Sequence, residues 1–258
     1  MSNLYLQCDK GAAGDMITAA LLGLFEDTNP MVQNLNAMGV PGAEYKLGTV
    51  RKYGIQGNTM TVLVHGEDEE DVLGNGGDHA HSHEHGHTHV HMTMHDIEHI
   101  VQQLQVSDKV KKDILQVYAI IADAESKAHN CPVSEVHFHE VGAMDAIADV
   151  SAVCYLMDCL KPEKVTASEI HVGNGTVKCA HGILPVPAPA TANIVRDLPW
   201  AHGKIDGEIC TPTGAALIRY FADQFADAPE EGVTRTGTGI GRRTFTRPSY
   251  FQISICEA

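Results

Sequence analysis

Seven histidines at alternate positions, His79, His81, His83, His85, His87, His89 and His91, fill a glycine-flanked stretch of this 258-residue chain. Neutral imidazole is the commonest protein ligand for zinc, nickel, copper and cobalt, and i,i+2 spacing on a mobile backbone lets several pairs of rings reach one ion. The stretch reads as a metal-collecting arm. It is internal and interleaved, unlike a purification tag, which is a contiguous terminal run; a solvated polar loop is the plainer alternative. The spacing then changes, because His91, His95 and His99 recur every fourth residue into Thr93-Met-His-Asp-Ile-Glu-His-Ile-Val-Gln-Gln-Leu. That is helical spacing, with Thr93 and Asp96 as a capping pair. His95 and His99 then stack on one face and can take an ion from the arm into fixed geometry. The residues do not select the metal, since the Irving–Williams order places copper above nickel and zinc at any such site.

A second concentration of chemistry lies in Val136-His-Phe-His-Glu-Val-Gly-Ala-Met-Asp-Ala-Ile-Ala-Asp149. In an extended tripeptide His137 and His139 point to one side, about 6.5 to 7 Å apart. Glu140 follows directly, and Asp145 and Asp149 fall one helical turn apart. Such a group can bind a metal, or pair a metal ligand with a carboxylate base; a strand end followed by a solvated helix face is the structural alternative. Gly11-Ala-Ala-Gly14-Asp15 ahead of a helix can offer backbone N–H groups to an anion. It is not a nucleotide-hydrolysing loop, because no Gly-x-x-x-x-Gly-Lys-Ser/Thr occurs. Gly237-Thr-Gly-Ile-Gly-Arg-Arg243 sets flexible backbone beside Arg242 and Arg243, which suits a phosphate, although an exposed glycine turn explains it equally well. His171 and His181 sit beside glycines in loops. Cys210, ahead of Thr211-Pro-Thr-Gly214, is either a thiolate activated by a helix N-terminus or an inert buried thiol.

The elements that must position these groups follow from periodicity. Residues 3–7 predict a strand, Gly11–Asp15 a turn and Met16–Phe25 an apolar helix. Residues 44–53 and 58–65 predict two strands joined by a turn at Gly54–Gly57. Helices are expected from Thr93, over 107–129, over 143–160, near 190–196 and from Thr211, and strands over 165–172 and 249–255. The whole reads as a mixed α/β protein whose strand order cannot be assigned. Its expected parts are an N-terminal α/β part at 1–66, an acidic, Gly/His-rich mobile loop at 67–92 and a main α/β part at 93–258.

Composition sets the outer limits. Hydrophobic residues make up 43% with few aromatics, so the core must come mostly from aliphatic side chains. No run approaches the roughly 20 apolar residues that span a bilayer, and the N-terminus has no basic region followed by an apolar stretch, which predicts neither secretion nor a membrane partner. Seven cysteines without paired spacing suit reduced thiols in a cytoplasmic protein. With 18 basic against 33 acidic side chains, a formal charge of −15 opposes nucleic acid and favours metal cations.

Taken in order, Gly11-x-x-Gly-Asp-Met16, the histidine-rich insertion, His137-x-His-Glu-x-Gly-Ala-x-Asp145, Ala180-His-Gly-x-Leu-Pro-Val-Pro-Ala-Pro189, Thr211-Pro-Thr-Gly-Ala215 and Gly237-x-Gly-x-Gly241 resemble the LarC family of nickel-insertion proteins. The resemblance covers nearly the whole chain. It implies a cytosolic cyclometallase that inserts Ni²⁺ into pyridinium-3,5-bisthiocarboxylic acid mononucleotide to make the nickel-pincer cofactor of lactate racemase. Two thiocarboxylate sulfurs capture the ion, and a ring C–H loses its proton as the nickel–carbon bond forms, so a metal donor and a base are both required. By chemistry, the arm collects nickel with His95 and His99, His137 and His139 hold it, and Glu140 or Asp145 takes the ring proton. Gly11, Gly14, Asp15, Arg242 and Arg243 are then expected to bind the mononucleotide. The resemblance also implies a C-terminal domain associated with CTP and Mn²⁺ or Mg²⁺, expected in a longer form or a separate partner chain, and it leaves a homo-oligomer open. An acidic residue frequent in the family is replaced by Gln7, which argues against a metal role at that strand end. A non-catalytic nickel buffer and a metal-dependent hydrolase are the competing functions.

Overall fold

The computed structural model describes residues 2–67, 92–138, 141–179, 182–229 and 232–257. The histidines from 79 to 91, His139, Glu140 and His181 lie outside the described residues, as does most of the expected loop at 67–92. Among the described residues seven α-helices pack with a seven-stranded mixed sheet. The helices are α1 (Gly14–Leu22), α2 (Asn29–Ala37), α3 (Met94–Gln103), α4 (Asp108–His129), α5 (Met144–Leu160), α6 (Pro189–Val195) and α7 (Pro212–Phe221). In chain order the strands are β1 (Asn3–Gln7), β2 (Ala43–Lys52), β3 (Ile55–Val64), β4 (Val165–Ala167), β5 (Ile170–His171), β6 (Gly173–Asn174), β7 (Thr176–Cys179), β8 (Gly182–Pro185), β9 (Trp200–Ala201), β10 (Gly207–Glu208), β11 (Gln224–Phe225), β12 (Gly232–Gly239) and β13 (Phe251–Glu257). The main sheet runs β11-β4-β1-β13-β12-β3-β2, and β5–β9, β6–β10 and β7–β8 form small pairs. Segments on both sides of residues 67–92 therefore contribute strands to one sheet. None of the described helices is long and apolar enough to cross a membrane.

Backbone contact at glycine explains how the central helix sits. Every residue of α1 except Asp15 is buried. A Cβ on Gly239 would lie 1.8 Å from the Met16 carbonyl oxygen, and one on Gly237 would lie 1.9 Å from that of Ala20. The glycines expected to make a flexible turn are instead strand positions of β12, where their lack of a side chain lets α1 rest directly on the sheet. The same device joins helix starts. A Cβ on Gly14 would meet the Asp149 side chain at 2.6 Å, and one on Gly214 would meet the Ala12 carbonyl at 2.3 Å. The first turns of α1 and α7 and the second turn of α5 are thus brought to one place.

Local signals account for several boundaries. Thr93 and Asp96 cap α3 reciprocally, Ser107 caps α4 through the Val110 amide, and Thr211 caps α7 through that of Gly214 at 3.1 Å. The β2–β3 hairpin is tighter than expected. Its turn is Tyr53–Gly54, with φ of 53° and 82°, and the residues after Gly54 already pair in β3. The segment expected as one strand over 165–172 is broken into β4 and β5, which pair with different partners.

Candidate active site

Three helix starts, the end of α4 and the turn after β12 enclose a cavity of about 380 Å³, within the range of small-molecule sites. The first turns of α1 and α7 and the first two turns of α5 supply Gly14, Asp15, Asp145, Asp149, Thr211 and Thr213 to its wall. Helix N-termini carry unpaired N–H groups and the positive end of the helix dipole, so together they favour negative charge in the cavity. Arg242 and Arg243 add two guanidinium groups. Met60 and Val62 of β3, Val141, and Val177 and Leu184 of the β7–β8 pair give apolar surface. The site thus pairs cationic and dipolar donors with carboxylates and a greasy wall.

Buried tyrosines hold the acidic side in place. The Tyr45 hydroxyl donates to the Ala148 carbonyl at 2.7 Å, and that of Tyr118 donates to the Val141 carbonyl at 3.2 Å. Burial, and after it the nearby Asp149 charge, pushes the Tyr45 hydroxyl well above its ordinary pKa; Tyr118 is raised likewise, by burial first and then by Asp145 and Asp149. Both phenols therefore stay protonated and serve as anchors for the start of α5. Asp145 accepts the Ala146 amide at 2.8 Å, which orients its carboxylate at that helix start. Glu208 is a carboxylate with a side chain only 9% exposed, and its oxygen lies 4.0 Å from Arg243 Nη1.

Of the residues singled out by sequence, Gly14, Asp15, Asp145, Asp149, Arg242 and Arg243 line this one cavity. Gly11 does not. It has φ of 110° and faces the Ile209 carbonyl, where a Cβ would lie 2.5 Å away, so it serves the turn rather than a ligand. His137 is exposed between buried Val136 and Phe138, on the outer side of a segment bridged to Met92, and is not part of the cavity wall. His95 and His99 are exposed on α3, with the His99 ring 3.2 Å from Gln103 Nε2. Among the described residues no group of three or more His, Cys, Asp or Glu side chains is placed to hold a metal ion. His171 pairs with Glu169 at 3.1 Å. Cys210 is fully buried and its thiol is pushed up by that burial, the reverse of an activated thiolate.

Sequence reasoning missed Glu125 and His129 at the end of α4, Cys179 of β7 and Glu208 of β10, all of which line the cavity. His129 Nε2 and Glu125 stand 3.5 Å apart, one turn from each other. Their i,i+4 spacing was readable, but helical spacing alone does not say which face meets a pocket.

An α/β protein with a carboxylate-edged pocket at clustered helix starts has a cavity in the size range that accepts small molecules. The chain belongs to the nickel insertion protein family, whose profile, described as "Nickel insertion protein", matches residues 4–258. It is similar to three proteins named pyridinium-3,5-bisthiocarboxylic acid mononucleotide nickel insertion protein. That of Clostridium acetobutylicum is 39% identical over 274 positions, covering all of this chain and 64% of the relative. Those of Clostridium kluyveri and Alkaliphilus metalliredigens are 36% and 37% identical, again over the whole chain and over 62% and 61% of the relatives. The chain spans about three fifths of the length of these relatives. No solved structure matches it.

Proposed function

We propose that this cavity is where Ni²⁺ is inserted into pyridinium-3,5-bisthiocarboxylic acid mononucleotide. The observation that carries the reading is the convergence of Arg242, Arg243 and three helix N-termini with Asp15, Asp145 and Asp149 around one cavity of about 380 Å³. The substrate carries a phosphate and two thiocarboxylates, which the guanidinium groups and helix starts favour. Its flat ring suits the wall of Met60, Val62, Val141 and Leu184. The names of the relatives agree with this substrate.

In the reaction the two sulfurs bind the nickel ion, the ring C–H electron pair becomes the carbon–nickel bond, and the proton leaves to a base. No electron is gained or lost overall. Asp145 is assigned as that base, because it lines the cavity and the Ala146 amide orients its carboxylate at the helix start; Glu140, the other candidate, lies outside the described residues. The histidines from 79 to 91, with His95 and His99, collect the ion. His137, exposed outside the cavity, is grouped with these collecting residues rather than with the transfer site. CTP with Mn²⁺ or Mg²⁺ acts with the part of the longer relatives that this chain does not cover, on the same or another chain.

Mass spectrometry of the organic precursor after incubation with the protein, Ni²⁺ and CTP, with a complementing C-terminal portion supplied, tests the reading. Nickel-bearing product from the native chain and none from Asp145→Asn at excess nickel is the expected result. Equal product from both removes Asp145 as the base. Nickel uptake without any product leaves a nickel buffer as the function.

A further inference from the structure

A carboxylate stands beside the arginine that the proposed function gives to the phosphate, and the metal chemistry makes no use of it. Glu208 lines the cavity; its side chain is only 9% exposed, and its oxygen lies 4.0 Å from Arg243 Nη1. The strand that carries it has little freedom. β10 pairs with β6, Glu208 opposite Gly173, and the next amide, that of Ile209, donates to the Val172 carbonyl at 3.2 Å. Gly207, with φ of 98°, is wedged from two sides: a Cβ on it would lie 3.0 Å from the Phe245 ring, and one on Gly173 would lie 1.9 Å from the Gly207 carbonyl oxygen. Ile209 and Cys210, which follow, are buried. A side chain leaving so constrained a backbone is placed before any ligand arrives.

In a cavity otherwise favourable to anions, this carboxylate repels a bare phosphate beside Arg243. An ionised carboxylate only accepts hydrogen bonds, and a guanidinium only donates them. Side by side they suit a ligand that carries strong acceptors and hydroxyl donors a short distance apart, as a sugar phosphate does. We propose that Glu208 is a specificity-determining residue: it accepts hydrogen bonds from the ribose hydroxyls of the mononucleotide while Arg243 holds the phosphate, so that the cavity selects a phosphorylated riboside over a phosphate that lacks the sugar hydroxyls. Hydrogen bonds to an ionised acceptor are about twice as strong as neutral ones, which gives the selection its strength. This deepens the proposed function, since it rests on Arg243 facing the phosphate of that substrate.

Calorimetric titration of the full chain without nickel tests it, using nicotinic acid mononucleotide, its counterpart lacking both ribose hydroxyls, and inorganic phosphate. The native chain should bind the riboside about tenfold or more tighter than the counterpart, the range for one charged hydrogen bond. In Glu208→Ala that preference should vanish, while inorganic phosphate binds as tightly as before or tighter because a like charge has gone. Glu208→Gln, which keeps the shape and packing, should cut the preference to about threefold, as for a neutral acceptor; should the alanine variant fail to fold, this one decides. Equal native binding of riboside and counterpart, or a full preference that survives in the variants, overturns the assignment. Equal weakening of all three ligands in the variants overturns it too, since Glu208 would then only steer Arg243. A native preference lost in the variants, with no nickel-bearing product ever formed, removes the proposed function and leaves this inference standing.

Discussion

The exposed histidines and the cavity are built by opposite rules. His95, His99 and His137 lie in short local stretches and point outward, and their described surroundings offer no metal-holding group of three. The cavity draws its polar groups from residues as far apart in sequence as Asp15 and Arg243, held together by glycine contacts of α1 with β12 and α5. Density of ligand-type residues along the chain thus marks where an ion can be gathered. Chemistry needs groups fixed around a shared volume, and only folding supplies that.

The difference can be broken most forcefully at the base. Asp145→Asn should lower nickel insertion by about a hundredfold or more at saturating nickel, the range for loss of a general base, whereas a His95→Ala, His99→Ala, His137→Ala triple variant should insert at the native rate under the same conditions. Product yield by mass spectrometry compares the two. A smaller effect is expected at the arginines. Replacing either Arg242 or Arg243 by Ala should weaken binding of the pyridinium mononucleotide by about tenfold to a hundredfold, since a charged hydrogen bond contributes roughly 1.5–3 kcal/mol; calorimetry should find the histidine variants unchanged.

Stability sharpens the comparison further. Gly239→Ala forces a methyl group against the Met16 carbonyl and should cost about 1–3 kcal/mol, seen as a lower thermal midpoint. The smallest effect is expected on the histidine side. Thr93→Ala removes the cap of α3 and should cost about 1 kcal/mol, without changing mononucleotide affinity.

What could be read from the chain divides along the same line. Caps at Thr93 and Thr211 were readable because a cap is a bond between residues three apart. Asp145 and Asp149 were readable as neighbours on one helical face, and both meet the cavity. The turn at Tyr53–Gly54 was displaced because a tyrosine at φ of 53° has no compositional signal. Gly237 and Gly239 read as a flexible turn because spacing does not distinguish a loop glycine from one that admits a helix. Strand β12, α2, and the cavity residues Glu125, His129 and Glu208 went unread for a related reason: each gains its meaning from a partner distant in sequence.

Hydrogen–deuterium exchange of the full chain with and without pyridinium-3,5-bisthiocarboxylic acid mononucleotide tests most directly where the chemistry is housed. Protection is expected at residues 13–16, 144–149 and 242–244, with exchange at 93–103 and 136–138 unaltered. Protection confined to those last two segments, with the cavity segments unchanged, would contradict the account.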